Sequence, residues 1–169
     1  MILPGSARKM PVVAIRYRFR QPLRASARAA FAWCTDFGPT DGQLFSHRTV
    51  RTVERLADDT FVLSDRTYPN GQLRRIRRLV RIDPTQRSWT NTHLDGPFRH
   101  SQFWYRIVPD GRSRSHLEFV GLKLESLPRK LSRAEVARHA RANRDSDARE
   151  WRTHLAPALE KEARSRRSR

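Results

Sequence analysis

The stretch from Phe45 to Leu124 is interrupted at short intervals by residues that favour tight turns: Asp58-Asp59, Pro69-Asn70-Gly71, Asp83-Pro84-Thr85, Asp95-Gly96-Pro97 and Pro109-Asp110-Gly111. The pieces between them have strand length, and no helical period intrudes. Strands are expected at roughly 45–56, 60–68, 73–82, 87–94, 100–108 and 114–124, joined as an antiparallel meander. Residues from Val12 to Arg20 add a seventh: Val13, Ile15, Tyr17 and Phe19 alternate with Arg16, Arg18 and Arg20, and Pro22 is expected to end the strand.

Alternation sorts the strands into two faces. One collects Phe61, Leu63 and Asp65; Ile76, Arg78, Val80 and Ile82; Trp89, Asn91 and His93; Phe103, Tyr105 and Ile107; Leu117 and Phe119. The other is basic, with Arg66, Arg75, Arg77, Arg81 and Arg106 beside Thr90, Thr92, Trp104, His116 and Glu118. Val120 and Leu122 break the rule, which a bulge at Gly121 would repair. The segment 45–56 shows no parity and is left unassigned.

Helical patterns flank the meander. After Ser26, a good N-cap, Ala27, Ala30, Phe31 and Cys34 fall on one face of a short helix. Ser132-Arg133-Ala134-Glu135 is a capping box opening a long C-terminal helix. Ala148, Trp151, Leu155 and Leu159 form its apolar stripe, and Asp147-Ala148-Arg149-Glu150 could cap a new start, placing a break near 143–147. The 169 residues divide into a flexible leader (1–11), one domain (12–163) and a basic tail (164–169).

Composition removes several classes. No apolar run approaches the roughly 18 residues of a membrane span, the single Cys34 excludes a disulfide framework or zinc cluster, and no secretory signal pattern opens the chain. A cytoplasmic location is expected. No nucleotide-binding glycine motif and no H-E-x-x-H occurs, so neither a cofactor nor a metal is expected. The net charge is +18, and only four of the 35 cationic residues are lysines. That excess reflects either codon usage or a polyanion partner, nucleic acid or an anionic membrane.

The order of one strand, a short helix, six strands and a closing helix resembles the helix-grip superfamily of START-type lipid carriers, pathogenesis-related allergens and polyketide cyclase or dehydratase proteins. The residues that carry the likeness are Leu23-Arg24-Ala25-Ser26 with Ala30-Phe31-Ala32-Trp33-Cys34-Thr35-Asp36, the Trp89 strand, Tyr105-Arg106-Ile107-Val108-Pro109-Asp110-Gly111 with Leu117-Glu118-Phe119, and Leu155 to Glu160. The resemblance implies an α+β helix-grip fold, a seven-stranded curved antiparallel sheet around a long C-terminal helix, with a cavity for a hydrophobic or amphipathic small molecule. It also implies that strand one and the Arg74–Arg81 strand lie about 19 Å apart, so the arginines spread over a broad outer face.

In such a cavity the inward set supplies Tyr17, Arg78, Trp89, Asn91, Phe103, Trp151 and Leu155 as ligand-binding candidates. Asp65 and Arg78 pair across adjacent strands if the register holds. A carrier or sensor needs no more than this. A cyclase- or dehydratase-like enzyme would use Asp65, His93 and Tyr105 as proton-handling or orienting groups, because a histidine with a pKa near 6.5 serves as acid or base.

Overall fold

The computed structural model describes residues 10–38, 41–44, 49–68, 72–96 and 98–165. Its element order is β1 (Val12–Leu23), α1 (Ala27–Thr35), a short 3₁₀ turn (Asp41–Leu44), β2 (Val50–Ala57), β3 (Thr60–Thr67), β4 (Arg74–Asp83), β5 (Ser88–His93), β6 (Gln102–Pro109), β7 (Ser115–Ser126), α2 (Arg133–Glu150), a π turn (Trp151–Leu155) and α3 (Ala156–Ser165). The seven strands form one curved antiparallel sheet in the order β1-β7-β6-β5-β4-β3-β2. The start of the expected strand at 45–56 lies partly outside the described residues; β2 begins at Val50. No helix among the described residues is long and apolar enough to cross a membrane.

Pro22 does not end β1. The strand runs to Leu23 with Pro22 opposite His116, which is tolerated because β1 is an edge strand and a residue without an N–H fits there. Gly121 makes no bulge either: β1 and β7 pair without a register shift from Val12↔Ser126 to Leu23↔Ser115. Val120 and Leu122 lie on the convex face, while Gly121 faces inward under the Tyr17 ring, where an added Cβ would sit 2.6 Å from Tyr17 Cζ. The register shift in the sheet falls between Arg55 and Ala57.

Both helical caps form as the sequence predicts. Ser26 Oγ accepts from the Ala29 amide, and Ser132 exchanges hydrogen bonds with Glu135 in the capping box. Helix α2 runs unbroken through 143–147, and the irregularity comes later. At Trp151–Leu155 the Ala156 amide bonds back to Trp151 O, one residue further than in an α-helix. The extra residue turns Trp151, Leu155, Ala156 and Leu159 all inward, where they are buried. They join Ile15, Leu63, Val80, Trp89, Ile107, Leu117 and Phe119 of the sheet in one core.

Candidate functional site

Toward the middle of the concave face the core opens into a cavity of about 310 Å³. Register places its walls. Arg78 stands opposite His93, Val80 opposite Asn91 and Asn91 opposite Phe103. Trp89 stands opposite Tyr105, and Tyr105 opposite Phe119. Trp89 and Tyr105 stack with ring centroids 4.8 Å apart and planes 1° from parallel, and Trp151 closes over Tyr105 from the helix side at 6.4 Å. Tyr17, Arg78, Trp89, Asn91, His93, Phe103, Tyr105, Trp151 and Leu155 all line the cavity. Asp65 does not; it stands behind Arg78.

One end of the cavity rests on a buried charge cluster. Asp65 accepts from Arg51 Nε at 2.7 Å and Arg51 Nη2 at 3.1 Å, and from Arg78 Nη2. Arg51 also lies 3.6 Å from Asp41. Arg51 is only 7% exposed, so its charge requires these carboxylates. Burial raises the Asp41 carboxyl above its usual range, against the pull of Arg51, and burial lowers the Arg78 guanidinium.

Three buried polar atoms at this end have no protein partner among the described residues: Arg78 Nε, Asn91 Oδ1 and His93 Nδ1. Buried polar groups are almost always bonded, so a cavity edged by a free donor, a free acceptor and an imidazole nitrogen is set for a polar ligand group or ordered water. Burial, reinforced by Arg78, lowers His93 to about 4. Its ring is therefore neutral near pH 7. The Tyr105 phenol is pushed upward by burial, which outweighs Arg78 and Asn91 beside it.

The other end belongs to α2. Tyr17 donates its hydroxyl proton to Asp147 Oδ2 at 2.6 Å. Burial raises the Asp147 carboxyl even though Tyr17 and Lys123 pull it down. Lys123 Nζ sits 4.3 Å from the Phe98 ring centroid, bonds Asn143 Oδ1 at 3.0 Å and pairs with Glu125 at 3.3 Å. Cys34 also lines the cavity, and burial raises its thiol, as expected of a packed rather than nucleophilic cysteine. Among the described residues no group of three or more His, Cys, Asp or Glu side chains converges as metal ligands would.

Sequence reasoning missed Asp41, Arg51, Lys123 and Asp147. Two of them carried a signal. Asp147, taken in the sequence as a possible helix cap, lies one turn before Trp151 and so on the same side of the helix as the stripe, and Lys123 shares the parity of Leu117 and Phe119 once no bulge intervenes.

No family model matches the sequence, and no curated protein matches it. Solved structures do match in shape. The chain superposes over 93% of its length on 97% of the Zhui aromatase/cyclase from Streptomyces sp. R1128, with a TM-score of 0.66 at 17% identity. This chain has the helix-grip fold. A START superfamily protein from Mycobacterium smegmatis matches over 89% of this chain and 98% of its own, with a TM-score of 0.59 at 16% identity. Norcoclaurine synthase of Thalictrum flavum, a point mutant bound to a transition state analogue, matches over 90% and 98%, with a TM-score of 0.60 at 10% identity. In the helix-grip frame the cavity lies between the sheet and the closing helix.

Proposed function

We propose that the protein binds a hydrophobic or amphipathic small molecule in the cavity between sheet and closing helix. The observation that carries this reading is the pairing of stacked aromatic walls with the unpartnered Arg78 Nε, Asn91 Oδ1 and His93 Nδ1. Ligand sites are apolar hollows with a few convergent polar groups, commonly about 300–1,000 Å³. A cavity of about 310 Å³ sits at the small end of that range, which favours a compact, flat ligand over a long acyl chain. Its oxygen substituents would meet Arg78 and Asn91 while its rings lie against Trp89 and Tyr105.

A fluorescent naphthalene-type probe displaced by unlabelled aromatic competitors tests this. Saturable 1:1 binding is expected, weakened tenfold or more in Trp89→Ala. Absence of a saturable site, or an unchanged affinity in a folded Trp89→Ala variant, would remove the reading.

A second reading, an enzyme of the cyclase or dehydratase type, is favoured by Asp147. A half-buried carboxyl with raised proton affinity, oriented by Tyr17 at 2.6 Å on the cavity wall, has the character of a general acid or base. In this reading His93 and Tyr105 are neutral hydrogen-bonding groups near pH 7. Asp65 acts through Arg78, by holding it in place, rather than by touching substrate.

A further inference from the structure

The helices whose packing is seen directly lie on the concave face, through Phe31 with Trp89, Asp147 with Tyr17 and Trp151 with Tyr105. The opposite face carries a second recess, of about 620 Å³. Register builds it rung by rung. One rung crosses five strands as Arg18, Val120, Trp104, Thr90 and Arg81; the next runs Arg16, Leu122, Gln102, Thr92 and Leu79. The result is a trough with a floor of aliphatic side chains, threonines and Trp104. Arginines of β1 line one side of it, and those of β4 the other.

No carboxylate among the described residues lines the trough, whose charged residues are Arg16 and Arg81; Glu54, Glu118 and Asp83 stand on the same face outside it. Among the described residues, Arg16, Arg18, Arg77 and Arg81 take part in no ion pair. At one end Glu118 is offset by Arg20 at 2.7 Å, while Asp83, held by Thr85 and Gln86 in its own turn, keeps its negative charge beyond the trough. An occupant that matches the trough is acidic along both flanks and apolar where it meets Leu79, Trp104, Val120 and Leu122. Four strand steps separate the two rows of arginines by about 19 Å, and an α-helix with its side chains is about 10–12 Å across.

Other polyanions fit less well. Single-stranded nucleic acid needs a series of stacking aromatics, and the trough offers Trp104 alone. A bilayer is flat and does not fill a recess of about 620 Å³, although Leu122 at 37% and Val12 at 62% are exposed on the same face. We propose that the convex face docks an acidic amphipathic helix of a partner protein. Its apolar stripe would lie on Leu79, Trp104, Val120 and Leu122, with Asp or Glu flanks against Arg16 and Arg18 on one side and Arg81 on the other.

The test is fluorescence anisotropy of the full chain, at physiological salt, with a labelled helical peptide of about 16 residues carrying leucines at i, i+3, i+4 and i+7 and glutamates on both flanks. A scrambled peptide of equal charge, phosphatidylglycerol vesicles and single-stranded DNA are titrated in parallel. The patterned peptide is expected to bind at least tenfold more tightly than the scrambled one. The double variant Arg16→Glu/Arg81→Glu should lose tenfold or more, and so should the surface variant Leu122→Gln, with unchanged unfolding midpoints. Equal binding of the scrambled peptide, or unchanged affinity in both variants, would overturn the proposal. Arg16- and Arg81-dependent binding of vesicles or DNA without the peptide would overturn it in favour of that ligand. None of these outcomes depends on the concave cavity.

Discussion

Asp65 holds two buried guanidinium groups at once, and this fixes what its removal does. In Asp65→Asn, Arg51 and Arg78 keep their charges without the carboxylate that offsets their desolvation, so urea unfolding should show a loss of about 3–5 kcal/mol. His93 gives a pH signature. Its folded-state pKa, about 4, lies below the ordinary value of about 6.5, so the unfolded chain takes up this proton first. The associated stability is complete above pH ~6.5 and is lost as the pH falls toward 4. The full shift corresponds to about 3 kcal/mol, which partial exposure of the ring screens to about 2. Unfolding followed from pH 7.5 to 4.5 should therefore decline less steeply in His93→Gln than in the parent, whereas equal slopes would show that His93 is not the group responsible.

Among the elements, β7 and the closing helix shape the cavity most. Gly121 on β7 leaves room for the Tyr17 ring, and that ring reaches Asp147 on α2. Gly121→Ala should push the ring away and cost about 1–3 kcal/mol in thermal unfolding; in a Tyr17→Phe background, already without the hydrogen bond to Asp147, the added cost should be smaller. The strands were legible because turn residues mark their ends and alternation marks their faces, so Arg78, Asn91 and Tyr105 could be aimed inward from the sequence. Arg51 was not legible. Val50, Val53 and Leu56 scatter apolar character over both parities of β2, since an edge strand with much of its surface in solvent needs no strict alternation. The π turn was equally hidden, because the spacing of Trp151, Leu155 and Leu159 alone fits an ordinary helix. The backbone hydrogen bond from Ala156 back to Trp151 O reveals the extra residue.

At the scale of the whole molecule the sheet separates two chemistries. Its concave face, closed by α1 and the C-terminal helices, encloses aromatic walls and a few unpartnered polar atoms; its convex face carries arginines around a floor of aliphatic side chains, threonines, Gln102 and Trp104. The four tryptophans report on both. Trp33, Trp89 and Trp151 line the cavity, while Trp104 lies in the outer trough. Titration of the Trp104→Phe variant with a naphthalene-type ligand, followed by tryptophan fluorescence, therefore tests cavity binding most directly. The prediction is a saturable 1:1 quench with the same midpoint as in the parent. No saturable change, or a signal present in the parent that vanishes with Trp104, would contradict it.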